Sequence, residues 1–128
     1  MADPGDFGFV VWLMNHSPVH RSWNVIDLNA YVLAPIERDL AAVDPELLAF
    51  ASWAFLSDEA HERRLKGYKI KPDDWQSGPH CWCMDVVAPF GGGSEFMRQM
   101  LAIARAEGVK RIWFNRRAKN RFGVSLDV

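Results

Sequence analysis

The segment His80–Pro89 followed by Gly91-Gly92-Gly93-Ser94 constrains this chain more than any other. Side chains alternate along a strand, so Cys81, Cys83, Asp85 and Val87 fall on one face and Trp82, Met84 and Val86 on the other. Both faces are largely apolar, which predicts a central strand covered on both sides. The glycines then turn the chain into a helix over Glu95–Glu107, with Phe96, Met100, Ile103 and Ala104 on one stripe and Gly108 as its stop. A buried strand feeding a helix through glycines excludes an all-helical bundle and demands a layered α/β arrangement.

The remaining elements fit that frame. Phe7–Asn15 is an apolar run too short for periodicity to separate helix from strand. Ser17-Pro18 is a break, with Ser17 placed to cap and Pro18 suited to a first helical position. Val25, Leu28, Val32, Leu33 and Ile36 recur at helical spacing and predict a helix from Asn24 to about Glu37. Leu47–Leu56 reads as a strand, Ser57–Lys66 as a helix capped by Ser57, and Lys71–Pro79 as loop. Val109–Asn115 reads as a strand, residues 116–123 as a basic loop, and Val124–Val128 as a last short strand. One domain over residues 1–128 is expected at this length.

Composition narrows function by exclusion. Hydrophobic residues make up 49% and charged residues 24%, as in an average soluble chain. A formal net charge of −1 argues against a dedicated nucleic-acid binder. No apolar run reaches the length of a membrane span, and Asp3 and Asp6 before Phe7–Met14 argue against a signal peptide. Two cysteines cannot build a disulfide framework, so a reduced, cytoplasmic setting is the expectation. The charge is uneven. Residues 37–62 hold seven acids against Arg38, whereas 105–121 hold seven bases (Arg105, Lys110, Arg111, Arg116, Arg117, Lys119 and Arg121) against Glu107. Solvated faces explain this as well as a basic patch for an acidic partner does.

Three features point to chemistry. Asp85 lies mid-strand among apolar residues, where an ionised carboxylate is costly without a partner; a structural hydrogen bond and a functional role account for it equally. His20 stands three residues after Ser17. At the third position of a capped turn, the positive end of the helix dipole disfavours imidazolium and leaves a neutral ring, competent as a general base. A carboxylate on the other ring nitrogen would fix the tautomer, and Asp85 is the natural candidate. Third, Gly91–Ser94 offers backbone N–H groups at a helix start, a setting for a phosphate, though an ordinary flexible turn reads the same way. His80 points away from Cys81 and Cys83 on a strand, so no metal site is expected there. The six tryptophans serve a core, or wall a groove for a long apolar group.

Trp12-Leu13-Met14 with Ser17-Pro18-Val19-His20-Arg21-Ser22-Trp23 resembles the amino-terminal signature of the RTX toxin-activating lysine acyltransferases, the haemolysin-activating family. Val32-Leu33 with Pro35-Ile36, Ala51-Ser52-Trp53-Ala54, Asp74-Trp75-Gln76-Ser77-Gly78 and Trp82–Gly91 follow in family order, so the resemblance covers about residues 8–104. It implies a GNAT-like acyltransferase fold, α/β (α+β), with a central, mostly antiparallel sheet and helices on both faces. It also implies transfer of a fatty acyl group from acyl-acyl carrier protein to internal lysines of a protoxin, in the cytoplasm. His20 and Asp85 become the catalytic pair, with Ser17 in the same motif. The acyl-phosphopantetheine of the carrier protein is then the donor, its phosphate resting near Gly91, Gly92, Gly93 and Ser94, with no tightly bound cofactor. Backbone N–H groups at the end of the central strand would steady the oxyanion, tryptophans would wall the acyl chain, and the 105–121 bases would meet the carrier's acidic surface. An RTX-type protoxin is the implied acceptor, and a homodimer the implied assembly; no nucleic acid and no stable membrane insertion are expected. Rival readings are a GNAT-like N-acetyltransferase using acetyl-CoA, and an inactive module that binds a carrier protein. The chain departs from familiar members in a short carboxyl end, a shortened loop before Leu47, and Tyr31 where an asparagine is expected.

Overall fold

A computed structural model describes residues 2–116 and 121–128. Arg117 and Lys119, two of the seven bases noted above, lie outside the described residues. Among the described residues no helix is long and apolar enough to cross a membrane.

Among the described residues, five α-helices and five strands follow one another in the order α1 (Phe7–Asn15), α2 (Val25–Leu28), α3 (Ala34–Glu37), β1 (Ala41–Asp44), β2 (Ala49–Leu56), α4 (Asp58–Leu65), β3 (His80–Val87), α5 (Gly93–Ala106), β4 (Arg111–Arg116) and β5 (Arg121–Asp127). The strands form one sheet in sequence order, with β3 at its centre, as its two apolar faces require. The sheet is mixed: β1–β2 and β4–β5 are antiparallel, while β3 and β4 run parallel with Trp82 opposite Trp113. A parallel neighbour needs a crossover, and α5 supplies it. The α+β class read from the sequence therefore holds.

Contacts divide the chain into two compact units, residues 1–52 with 85–100, and residues 53–84 with 101–128. The first unit has a core of Val10, Leu13, Met14, Val32, Ile36, Ala41, Phe50 and Val87. Phe7–Asn15 resolves as a helix because Val10, Leu13 and Met14, at helical spacing, are its buried residues. The predicted helix over 24–37 is interrupted. Asn24 caps α2 by accepting from the Asp27 N–H, but Asn29–Leu33 is a π-helical turn that leads into α3. That wide turn buries Tyr31 and Val32. β1 was not expected from the residue pattern. Its hairpin to β2 closes where the Asp44 carboxylate accepts from the N–H groups of Glu46 and Leu47 at 2.9 and 3.0 Å, a side-chain turn that an aspartate makes readily.

In the second unit Ser57 caps α4 as expected, its hydroxyl accepting from the Ala60 N–H at 3.1 Å. Asp58 and Glu59 in the first turn and Arg63 and Arg64 in the last complement the helix dipole. Arg63 donates through Nη2 to both carboxylate oxygens of Asp74, at 3.1 and 3.2 Å, and so ties the 71–79 loop to α4. The last strand begins at Arg121, earlier than Val124, so part of the expected basic loop is strand.

Candidate active site

In the first unit the chain leaves α1 through a single turn. The Ser17 carbonyl accepts from the N–H groups of His20 and Arg21 at 3.1 and 2.9 Å. This turn faces the His20 ring back toward Ser17, and the Ser17 hydroxyl meets His20 Nδ1 at 2.8 Å. His20 Nε2 faces Asp85 Oδ1 at 3.4 Å. Ser17 and His20 are buried, and the Asp85 side chain is 14% exposed. Trp23 packs against the imidazole, ring centroids 5.0 Å apart and planes at 60°.

A carboxylate only accepts, so a neutral ring bonded to Asp85 carries its hydrogen on Nε2 and leaves Nδ1 to accept from the Ser17 hydroxyl. Serine, histidine and aspartate stand in hydrogen-bonding order, the arrangement in which a base takes a proton while a buried acid holds its tautomer. At 3.4 Å the His20–Asp85 contact is longer than a relaxed N–H···O bond, as such contacts often are before substrate closes the site.

Two expectations need correction here. Ser17 was expected to cap a helix with its side chain; its hydroxyl instead engages His20. The turn after Pro18 does not continue as a helix, and α2 begins only at Val25, so His20 does not stand in a helix's first turn.

The glycines of the next turn have reasons of their own. Gly91 has φ of +97°, which L side chains rarely adopt. At Gly92 a Cβ would stand 2.3 Å from the Leu47 carbonyl oxygen. Backbone approach to this chain's own Leu47 accounts for Gly92 without a ligand. Gly93 opens α5, and Gly91 and Ser94 are exposed. Among the described tryptophans, Trp75 and Trp82 are core residues, and Trp12 is the most open at 45%. It stacks on the exposed Phe90 at 5.6 Å.

The second unit holds a cluster that the sequence did not reveal. His61 on α4 stacks on His80 of β3, centroids 4.0 Å apart and planes 13° from parallel. The Trp82 indole N–H donates to His61 Nδ1 at 2.9 Å, and His80 Nε2 lies 2.7 Å from Asp58 Oδ1. Burial, then the neighbouring His80, lowers the His61 pKa below its ordinary value. Helix and strand periodicities give no hint of a pair that only tertiary packing creates. Cys81 beside it is buried, which pushes its thiol up to about 11 and leaves it inert as a nucleophile. Among the described residues no three His, Cys, Asp or Glu side chains gather to hold a metal ion.

Comparison with known proteins identifies the family of the chain. Residues 5–124 match the model of the RTX toxin acyltransferase family. The RTX-II toxin-activating lysine-acyltransferase ApxIIC of Actinobacillus pleuropneumoniae is 39% identical over 97 residues, covering 73% of this chain and 61% of the relative. The leukotoxin-activating lysine-acyltransferase LktC of a Pasteurella haemolytica-like strain is 38% identical over 88 residues, or 66% of this chain and 53% of the relative. The lysine-acyltransferase RtxC of Vibrio cholerae is 33% identical over 98 residues, 73% and 64%. The chain thus spans between half and two thirds of the length of these curated relatives. With nearly its whole length matched by the family model and with relatives at this identity, the chain belongs to the RTX toxin acyltransferase family.

Proposed function

We propose that this chain is a protein-lysine acyltransferase that takes a fatty acyl group from acyl-acyl carrier protein and places it on internal lysines of an RTX-type protoxin. The observation that carries the reading is the Ser17–His20–Asp85 line within a member of this family. Residues 1–128 act together as one catalytic domain of GNAT-like architecture.

The reaction needs a base. Lysine reacts as the neutral amine, its ammonium proton having gone to solvent, and that amine must shed one more proton as its nitrogen bonds to the thioester carbon and becomes an amide. Both imidazole nitrogens are occupied, Nε2 by Asp85 and Nδ1 by Ser17. The amine proton therefore passes to the Ser17 oxygen as the Ser17 hydroxyl proton moves to Nδ1. Asp85 stabilises the imidazolium so formed. The nitrogen adds to the carbonyl, the tetrahedral oxyanion is met by backbone N–H groups at the end of β3, and the carbon–sulfur bond breaks. The amide stays on lysine, and the thiolate leaves with the proton that His20 returns. Thioester and amine become amide and thiol, with no other reactant.

Donor recognition follows from charge and backbone. The Gly91–Ser94 segment leading into α5 takes the phosphate of the phosphopantetheine arm. Arg105, Lys110, Arg111, Arg116 and Arg121 are all exposed and face an acidic carrier protein. The donor is thus a substrate rather than a resident cofactor, and the reaction belongs in the cytoplasm with it.

The test is acyl transfer by the purified chain from long-chain acyl-carrier protein to an RTX-type protoxin, read as acyl mass on lysine peptides. Transfer from the carrier protein, weak transfer from CoA thioesters and loss of activity in a folded His20→Ala variant are expected. Undiminished transfer by His20→Ala overturns the base assignment. Efficient use of acetyl-CoA with none of acyl-carrier protein overturns the donor, and carrier binding without transfer to any acceptor overturns the activity.

A further inference from the structure

We propose that Trp23, backed by Tyr31, is a positioning residue for His20: it holds the imidazole in the one orientation that presents Nδ1 to Ser17 and Nε2 to Asp85, and it favours the ring once charged. The inference rests on the proton route proposed above and adds to it a residue that touches no reacting atom.

A hydrogen bond at each end does not lock an imidazole whose contact to Asp85 is 3.4 Å long. Rotation of the ring would exchange nitrogen for carbon at both partners. What opposes rotation is a wall, and Trp23 supplies it. The two residues share one turn, with the Trp23 N–H donating to the His20 carbonyl at 3.0 Å. Their rings meet at 5.0 Å and 60°. A rigid indole in that position costs little side-chain entropy and leaves the imidazole one rotamer.

The indole is itself held. Tyr31 meets Trp23 at 5.8 Å and 63°, edge to face. Tyr31 reaches it because Asn29–Leu33 is wound as a π-helical turn, an irregularity that often serves a site. Tyr31 is buried and Trp23 half-buried, so the three rings form one wall running inward from His20. Charge adds a second effect. A cation within about 6 Å of an indole centroid is attracted by its π face. Neutral His20 gains little of this; imidazolium gains it at the moment the amine proton arrives, which is when stabilisation accelerates the reaction.

The test compares Trp23→Phe with Trp23→Leu in the full chain, first by the 15N shifts of the His20 ring and then by steady-state transfer. The wild type is expected to show one tautomer, with hydrogen on Nε2. Trp23→Leu is expected to show mixed tautomers, and kcat lower by about tenfold to a hundredfold with KM for the donor unchanged. Trp23→Phe, which keeps an aromatic face, is expected to restore the single tautomer and most of kcat. Should Trp23→Leu fail to fold, Tyr31→Leu, which loosens the wall from behind, is expected to mix the tautomers in the same way. A single Nε2–H tautomer with wild-type kcat in a folded Leu variant overturns the proposal. If the wild type transfers no acyl group at all, the acyltransferase reading fails, and the tautomer measurement still decides the role of Trp23.

Discussion

His20 Nε2 faces Asp85 Oδ1 at 3.4 Å, although 65 residues of chain lie between them. The carboxylate only accepts, so in the proposed proton route this pairing leaves Nδ1 as the nitrogen that receives a proton. Asp85→Asn keeps the shape but offers an amide that can donate, which favours the wrong tautomer. The expected result is a fold of nearly unchanged thermal midpoint and a kcat reduced by about 10³–10⁴-fold, as for other buried acids in this role. Steady-state acyl transfer with circular dichroism checks both halves, and a kcat within a few-fold of wild type removes Asp85 from the mechanism.

The Gly91–Gly93 turn separates two causes of glycine use. A Cβ at Gly92 meets the Leu47 carbonyl oxygen, whereas one at Gly8, exposed on α1, meets nothing within 4 Å. Gly92→Ala is expected to destabilise by roughly 1–3 kcal/mol through overpacking. Gly8→Ala is expected to stabilise by about 0.5 kcal/mol, because alanine loses less backbone freedom in a helix. Urea midpoints of the two variants should move in opposite directions.

Ser52 on β2 is completely buried, and its hydroxyl has no hydrogen-bond partner among the described residues. An orphaned buried hydroxyl costs about 1–3 kcal/mol against water. Ser52→Ala deletes it at nearly constant volume, so a higher melting temperature is expected. A lower one would mean that the hydroxyl is satisfied in solution.

The histidine pair makes stability depend on pH. The folded state holds the His61 pKa below its ordinary 6.5, through burial first and His80 second, against the opposing pull of Glu62 and Asp58. As pH falls through 6.5 the unfolded chain takes up a proton that the folded chain still refuses. His61 thus contributes stability above 6.5 that is lost below it, down to the folded value. Protonation at Nδ1 would also break the bond from Trp82. His61→Gln keeps an acceptor but cannot titrate. Urea unfolding between pH 8 and pH 5 should show a flatter dependence for this variant, and matching slopes would exclude His61 as the source.

How much of this was legible in the sequence depended on whether a signal was local. The alternation from Cys81 to Val87 marked the central strand, and the mid-strand Asp85 stood out because charge is costly there. The interval from Ser17 to His20 placed both on one turn, so the candidate site was visible in outline. The hydroxyl's actual partner was not, since serine after a helix serves a cap or a side chain equally well. β1 escaped notice because Ala41 and Ala42 have little strand propensity and gain their conformation by pairing with Ala51 and Ser52. The π-helical turn at Asn29–Leu33 keeps apolar residues at nearly helical spacing and so hides in the pattern. The stack of His61 on His80 joins a helix to a strand, which no local period records.

The assembly of the candidate site is divided between two scales of chain organisation. A three-residue interval brings Ser17 to His20, a contact within reach of a short peptide, whereas Asp85 arrives only with the completed sheet. The Ser17–His20 contact is thus local in the chain, and the contact to Asp85 is made only by the tertiary fold. If the proposed function holds, acyl transfer requires the folded chain, because the three side chains meet only there.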